Sequence, residues 1–469
     1  MKVNKIIKLL KKLQITGISD DTRYLDAGNL FICKKGTKYN GLNFIHEAIS
    51  KGAKAILTEE DILLDNVVVI KVNSIQKVFY ELIAKFYRYP WKKLKLIGVT
   101  GTDGKTTTAS YIKHLLGNDC AYIGTNGIVY CDKIIKTSYT TLPYCLFVRT
   151  LYELQKANIK YVSLEASSQG LINNRLYCIN FDVAIFTNLT YEHLDTHKNM
   201  YNYFQAKLIL FKQLKKNGLA IVNRDSKYSN FIRVPKVTFS IQTNADYQIT
   251  NIVNKSDYLE FTLLSKNNQP TIYQTNVFES YNLSNLLAGI IVAKHFKVPN
   301  ETLKEKIIQM PSVAGRLQLV STDLPFKIYI DFAHTPNALY EVLKNLRSKT
   351  NGRIIGVCGS AGEKDKYKRH LIGQVATNNA DYVIFTSEDY RSEDPYDIIS
   401  QMISLVKTNN YEIIIDRKKA IEKAIKIAKE NDIVIVTGKG NDEYFETNEG
   451  CFKYSDYETI QEIFTSKKI

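Results

Sequence analysis

No apolar run in this chain approaches the ~20 residues that a bilayer-spanning helix needs, so membrane insertion is not expected. The segment Met1 to Leu13 is rich in lysine but holds no apolar core of signal-peptide length and no small-residue cleavage site; it reads as an amphipathic helix. Cysteines number seven, scattered, with no C-x-x-C pair. That argues against a disulfide framework or a zinc site and for a reducing cytoplasm. Acidic residues are in deficit, 47 against 63 lysines and arginines, for a net charge of +16. The basic residues are spread along the whole length, so nucleic acid is not expected as a partner, whereas anionic small substrates are. Short-period repeats and low-complexity tracts are also missing.

What remains is an ordinary globular composition, 45% hydrophobic and 23% charged over 469 residues. That is enough for about three domains at ~150 residues each. Residues 1–92 mix short elements: Asn29–Cys33 and Ala53–Thr58 read as strands, Asn43–Ile49 as a helix, and Pro90 marks a boundary. From 93 to 316 strands alternate with helices. The candidates Tyr161–Leu164, Val183–Phe186 and Leu219–Val222 predict a largely parallel sheet covered on both faces. A polar, hairpin-like stretch over 236–278 predicts a small antiparallel sheet before a helix that starts near Asn282. From 317 to 469 the alternation returns, with strands at Ile328–Ile330, Ile354–Val357, Tyr382–Phe385, Ile413–Ile415 and Ile433–Val436. In open α/β sheets ligands gather at the carboxyl ends of strands, so the turns after these strands are the candidate sites.

One such turn, Gly101-Thr102-Asp103-Gly104-Lys105-Thr106-Thr107, follows an apolar strand and opens a helical pattern. That is the layout of a phosphate-binding loop: glycines let backbone N–H groups curl around phosphate oxygens, Lys105 neutralises β/γ-phosphate charge, and the Thr106 hydroxyl can ligate Mg²⁺. Val99 stands where the strict G-x-x-x-x-G-K-[ST] pattern has its first glycine, and the competing reading is an ordinary strand–turn–helix corner. Glu165 and His193 lie just past two strands of the same sheet. A carboxylate and an imidazole there suit Mg²⁺ shared with phosphate oxygens; taken singly, each reads better as a surface or capping residue, a reading that two strand ends in one sheet weaken. Lys207 begins an apolar helical segment and, on its residues alone, reads as a snorkelling lysine. The turns Cys358–Arg369, Ser387–Ser392 and Gly438–Glu443 mix charges of both signs. A zwitterion such as an amino acid needs that mixture, although solvated loops also show it.

In order along the chain, Gly101 to Thr108, Glu165-Ala166-Ser167-Ser168-Gln169-Gly170-Leu171, Phe186-Thr187-Asn188-Leu189 leading to His193-Leu194-Asp195, Ala206-Lys207, Tyr281 to Asn285, Ala314-Gly315-Arg316, Asp331 to Pro336 and Gly438-Lys439-Gly440 strongly resemble the motifs of the Mur ligases of peptidoglycan synthesis. Asp21-Thr22-Arg23 and Tyr454-Ser455-Asp456 fit the tripeptide-forming branch of that family. The resemblance spans essentially the whole chain. It implies an α/β fold of three domains: an N-terminal UDP-sugar-binding domain (1–92), a central P-loop ATPase-like domain with a parallel sheet and a small antiparallel sheet (93–316), and a C-terminal Rossmann-like domain for the amino acid (317–469). It also implies a monomeric, cytoplasmic ligase that uses ATP and Mg²⁺. Such an enzyme joins a diamino acid to the D-glutamate side-chain carboxylate of UDP-N-acetylmuramoyl-L-alanyl-D-glutamate through an acyl phosphate.

By matching positions, the resemblance assigns catalysis to Lys105, His193 and Lys207, the last carrying a CO₂-derived carbamate in place of the snorkelling role. It assigns ATP to Gly101, Thr102, Asp103, Gly104, Lys105, Thr106, Thr107, Asn282, Asn285, Arg316, Asp331 and His334, and metal to Thr106, Glu165, His193 and Lys207. Thr22, Thr140, Thr141, Ser167, Asn173 and Arg175 would hold the UDP-sugar dipeptide, and Lys364, Glu388, Asp389, Tyr390, Arg391, Gly438 and Asp442 the amino acid.

The departures from the family pattern gather at the amino-acid turns. Glu388-Asp389-Tyr390-Arg391 stands where diaminopimelate-adding members read Asp-Asn-Pro-Arg, Lys364 stands for an arginine and Asp442 for a glutamate. On the sugar side Tyr139 replaces an asparagine before Thr140, and Asn173 replaces a glutamine. Arg391 favours a second carboxylate, as in meso-diaminopimelate, which is the expected substrate. Asp389 would favour a distal ammonium, as in L-lysine, and a divergent paralogue with another acceptor is a third reading. A folylpolyglutamate-synthase-like ligase fits poorly with the segment carrying Asp21-Thr22-Arg23. A non-catalytic nucleotide-binding scaffold fits poorly with the joint presence of Lys105, Glu165, His193 and Lys207.

Overall fold

The computed structural model describes residues 1–36, 39–266, 268–320 and 324–467. They form two compact units, the first from Met1–Val99, Leu116–Ile185 and Ile209–Ala220, the second from Thr100–Leu115, Phe186–Leu208 and the chain from Ile221 onward.

The first unit opens with the helix Val3–Lys12, which buries Val3, Ile6 and Leu10 on one stripe and packs on the helix Ile75–Phe86. Four short strands, Ile18–Ser19, Leu30–Ile32, Ala55–Thr58 and Val68–Lys71, pair in that order and all in parallel. The two inner strands are buried along their whole length, as the strands of a sheet covered on both faces must be. In a second sheet the strand Tyr161–Glu165 lies between Lys95–Thr100 and Cys120–Gly124, parallel to both. Phe181–Phe186 flanks the other edge of Lys95–Thr100. The hairpin of Gly127–Tyr130 and Lys133–Ile135 adds antiparallel strands. Register places Val99 opposite Glu165, so that carboxylate sits level with the end of the strand that feeds the phosphate loop.

In the second unit the strand Lys236–Ser240 pairs in parallel with Tyr247–Asn254, and only then do Leu259–Ser265 and Asn268–Thr275 continue antiparallel. The stretch over 236–278 is therefore mixed and not wholly antiparallel. Asp246 explains the difference: its Oδ2 accepts from the Thr238 N–H at 2.8 Å and from the Thr238 hydroxyl at 2.6 Å, which turns the incoming chain back alongside its neighbour. The helix Ser280–His295 follows.

The remaining sheet has six strands in the order Gln318–Val320, Lys327–Asp331, Ile433–Thr437, Ile354–Cys358, Tyr382–Phe385 and Tyr411–Ile413; the first pair is antiparallel and the rest parallel. Leu339, Ile372 and Met402 from three helices cover one face, and Ile421, Ala424 and Ile463 from two others cover the opposite face. The strand expected at Ile413–Ile415 lies two residues earlier. Its neighbour Tyr382–Phe385 pairs through Val383, Ile384 and Phe385 with Tyr411, Glu412 and Ile413, and the Ile415 carbonyl accepts instead from the Ser387 hydroxyl and N–H. All seven cysteines are free, and no described helix is long and apolar enough to cross a membrane.

Candidate active site

The phosphate loop is built by two glycines that tolerate no side chain. A methyl on Gly101 would lie 1.8 Å from the Thr187 Oγ1, and one on Gly104 would lie 2.4 Å from the Asn285 Oδ1. Gly104 also holds φ +82°, a conformation open to glycine at little cost. The loop is tied down by its neighbours. The Thr102 N–H donates to the Asn188 carbonyl at 3.0 Å, the Asp103 N–H to the Asn188 Oδ1 at 2.9 Å, and the Thr187 hydroxyl to the Asp103 carbonyl at 2.6 Å. Thr106, Thr107 and Thr108 are buried at the start of the helix Lys105–Leu116.

Two amines converge on one carbonyl of this loop. Lys105 Nζ donates to the Gly101 oxygen at 3.0 Å and to the Thr102 oxygen at 2.6 Å, and Lys207 Nζ donates to the same Gly101 oxygen at 2.7 Å. Lys207 is 1% exposed, with its amine 4.2 Å from the centroid of the Tyr203 ring. Burial, with the Lys105 cation beside it, pushes the Lys207 amine well below its ordinary pKa. Lys207 is thus a core residue of the site and not a snorkelling rim lysine.

The other nucleotide-side candidates gather around the loop. Arg316 donates to the Thr106 hydroxyl at 3.0 Å and stacks 4.5 Å from the centroid of Phe332. Asn285 accepts from the Thr108 hydroxyl at 3.1 Å and donates to the Asn282 Oδ1 at 3.2 Å. Asp331 accepts from the Leu317 and Ala333 N–H groups, yet burial still lifts it to about 6. The His334 Nδ1 lies 2.7 Å from the Phe332 carbonyl, and burial lowers that imidazole. His193 takes φ +58°; desolvation, with the Lys207 and Lys105 amines beside it, holds it below its ordinary range.

Glu192 was not singled out from sequence. Its Oε1 pairs with Lys368 Nζ at 2.8 Å and lies 4.0 Å from both the His193 Nδ1 and the His334 Nε2. Its Oε2 has no hydrogen-bond partner among the described residues, and burial raises its pKa. The only sequence signal was its place beside His193.

Glu165 belongs to the first unit. Its Oε1 accepts from the Tyr122 hydroxyl at 2.6 Å and the Thr125 N–H at 2.9 Å. The acceptor-side candidates lie in the same unit. Thr141 Oγ1 donates to the Glu165 carbonyl at 2.7 Å and lies 3.0 Å from Ser167 Oγ. Thr140 Oγ1 lies 3.2 Å from Thr125 Oγ1, and Arg175 donates to the Thr141 carbonyl at 2.7 Å. Thr22 is buried and Asn173 is exposed. A cavity in this unit is lined by Asp21 together with Ser19, Asp20, Tyr24, Pro143 and Arg149, which the sequence did not single out. Among the described residues no three His, Cys, Asp or Glu side chains group closely enough to hold a metal ion by themselves.

The amino-acid candidates meet at the ends of the six-stranded sheet. Lys439 Nζ pairs with Asp389 Oδ1 at 2.7 Å, and the Glu446 N–H donates to the same oxygen at 3.1 Å. Arg391, at φ +53°, donates through Nε to Glu446 Oε2 at 2.6 Å and through Nη1 to the Gly362 carbonyl at 2.6 Å. Tyr390 faces Phe445 with ring centroids 6.2 Å apart. Glu388 is buried with its Oε2 unpartnered among the described residues, 2.2 Å from where a methyl on Gly438 would sit. Burial lifts Asp442 to about 6. Lys364 is exposed. The buried Arg369, also missed, braces the turn through Glu393 and the Ala361 carbonyl.

The chain resembles known proteins along most of its length. Residues 14–87 match the Mur ligase family catalytic domain, 99–293 the Mur ligase middle domain, and 315–440 the Mur ligase glutamate ligase domain. The chain is 34% identical over 484 residues to the UDP-N-acetylmuramoyl-L-alanyl-D-glutamate--2,6-diaminopimelate ligase of Clostridium botulinum, with 99% of each chain covered. A solved structure of a ligase of that same name is 28% identical, with TM-score 0.60 and coverage of 97% of this chain and 95% of that one. The MurF ligase from Thermotoga maritima in complex with ADP, at 19% identity and TM-score 0.70 over 97% of this chain and 98% of that one, shares the fold. On the full-length likeness to its relatives, the chain belongs to the Mur ligase family.

Proposed function

We propose that this chain is the ligase that joins meso-diaminopimelate, through an amine, to the D-glutamate side-chain carboxylate of UDP-N-acetylmuramoyl-L-alanyl-D-glutamate, converting ATP to ADP and phosphate. The Clostridium botulinum relative bears that reaction in its name. The observation that carries the reading is the meeting of Lys105 and the buried Lys207 on the Gly101 carbonyl of a phosphate loop.

A carboxylate is a poor electrophile at neutral pH. Transfer of the γ-phosphoryl group to a carboxylate oxygen, with ADP leaving, makes an acyl phosphate. The amine nitrogen then attacks the acyl carbon, the tetrahedral intermediate expels phosphate, and the amine proton passes to water. Positioning and charge stabilisation are the protein's main tasks in such chemistry. Lys105, Arg316 and the loop N–H groups would hold the phosphates, with Asn282, Asn285, Asp331 and His334 shaping the nucleotide side. Thr106, Glu165, His193 and a carbamylated Lys207 would offer oxygen and imidazole donors to Mg²⁺. The low pKa of Lys207 favours its neutral, nucleophilic amine, which is the form that adds CO₂. Bound Mg²⁺ would neutralise phosphate charge.

Thr22, Thr140, Thr141, Ser167, Asn173 and Arg175 would bind the acceptor, and Lys364, Glu388, Asp389, Tyr390, Arg391, Gly438 and Asp442 the diamino acid. We assign domains to 1–92, 93–316 and 317–469, and place a monomeric enzyme in the cytoplasm. Diaminopimelate is preferred over lysine because the Asp389 carboxylate is already matched by Lys439. Phosphate release assayed with the UDP-muramoyl dipeptide and a panel of amino acids tests the reading. Release is expected only with both substrates present and is strongest with meso-diaminopimelate. ATP hydrolysis indifferent to the dipeptide rejects the ligase role, and preference for lysine rejects the choice of amino acid.

A further inference from the structure

Arg175 is a half-buried cation with no carboxylate within ion-pair distance among the described residues. Its guanidinium donates to the neutral Thr141 carbonyl at 2.7 Å, and desolvation lowers its pKa. A desolvated, unpaired guanidinium is costly unless an anion arrives. What holds it is the face of Tyr139, whose ring centroid lies 5.3 Å from the guanidinium carbon. That ring is fixed in turn. Arg23 Nη2 donates to the Tyr139 hydroxyl at 2.8 Å, and Arg23 is clamped by Asp21 through Nε at 3.0 Å and Nη2 at 2.6 Å. The Tyr24 ring flanks Tyr139 at 6.4 Å. A relay thus runs from Asp21 through Arg23 and Tyr139 to Arg175, within one unit of the molecule. It ends beside the hydroxyls of Thr141 and Ser167, which are 3.0 Å apart. An asparagine at position 139 would offer no ring face to Arg175 and is too short to reach Arg23.

We propose that Tyr139 is a positioning residue that aims the Arg175 guanidinium at a carboxylate of the glycopeptide acceptor; this deepens the functional reading above and rests on it. The planar fork of arginine binds a carboxylate bidentately only when its orientation is set. The ring face sets it without neutralising the charge, as an acidic partner would.

The test is a double-mutant cycle on the full-length enzyme, read as KM and kcat for each substrate and as calorimetric Kd for the acceptor and for UDP alone. Tyr139→Leu is expected to raise acceptor KM and Kd roughly three- to thirtyfold, the range of a partly buried cation–π contact. The KM values for ATP and the amino acid and the affinity for UDP should stay unchanged. Tyr139→Phe keeps the ring and loses only the Arg23 tether, so its acceptor KM should rise by a smaller factor; it also serves if the leucine variant does not fold. In an Arg175→Met background Tyr139→Leu should add nothing. An unchanged acceptor KM in both variants overturns the assignment, as does an undiminished effect in the Arg175→Met background. Equal weakening of UDP overturns it too, because the anion served would then be the diphosphate. A wild-type enzyme inert toward the acceptor defeats the functional reading itself, and this assignment with it; an active wild type with indifferent variants defeats only the role of Tyr139.

Discussion

Substituting Gly104 by alanine perturbs the nucleotide side with the least change in chemistry. The added methyl would sit 2.4 Å from Asn285 Oδ1, too close for any rotamer of the loop as it stands. Asn285 must swing away and give up the bond it accepts from the Thr108 hydroxyl at 3.1 Å, a loss of about 1 kcal/mol. The backbone at φ +82° adds about 1–2 kcal/mol for a residue with a Cβ. The sum is about 2–3 kcal/mol. The loop can relieve it by leaving the cradle shape, so the cost should appear in ligand binding. ATP affinity measured by calorimetry is expected to fall roughly thirty- to hundredfold, with a parallel loss in kcat/KM for ATP and little change in acceptor affinity. An ATP Kd within threefold of wild type would refute the claim that Gly104 and Asn285 jointly shape the phosphate site.

Lys207→Arg keeps a cation that cannot lose its proton and so cannot take CO₂; both it and Lys207→Ala should lose about 10²–10³-fold in kcat. Acetate is expected to restore part of the activity to the alanine variant only, and an active arginine variant would argue against the carbamate. Asp442 titrates at about 6 in the fold against a reference of 3.8, so the folded state holds its proton more tightly and stability is lost as pH rises from about 4 through 6. Urea melts of Asp442→Asn should therefore show a pH 4 to pH 8 stability difference smaller than wild type by about 1–3 kcal/mol; an unchanged difference would place the carboxylate in water. Arg391→Gln removes a charge-assisted contact of about 1.5–3 kcal/mol, so KM for meso-diaminopimelate should rise by about one to two orders of magnitude while any activity with lysine stays the same.

Strands buried on both faces were legible because apolar runs bounded by turns leave little choice, as at Ile354–Cys358 and Ile433–Thr437. The strand Val68–Lys71 was not, although Val67-Val68-Val69-Ile70 is an apolar run; on the edge of its sheet only Ile70 is buried, so the run is not the mark of a strand covered on both faces. At 236–278 the hairpin pattern foresaw strands but not the parallel first pair, which depends on one aspartate reaching back to Thr238. The strand and helix on either side of Gly101–Gly104 were readable from the sequence. The burial of Lys207 was not: a single lysine in an apolar segment reads as a rim residue until its helix is placed beside Gly101. Glu192 and Lys368 lie 176 positions apart, and no local pattern announces a pair of that kind.

The amino-acid turns show how burial sorts apparently equivalent charges. Asp389 and Lys439 are 14% and 1% exposed, whereas Arg391 and Glu446 are 21% and 48% exposed. Breaking the first pair would strand a buried ammonium at a cost of about 3–5 kcal/mol. Exchanging the second costs little, because an ion pair open to water is worth about 0–1 kcal/mol. On the proposed assignment of this turn to the amino acid, an incoming diamino acid would displace Glu446 and leave Lys439 in place. The guanidinium so uncovered would select a distal carboxylate, while the carboxylate that could have selected a lone distal ammonium stays paired with Lys439. Asp389, which by sequence argued for lysine, thus cancels a buried charge, and selectivity would pass to Arg391.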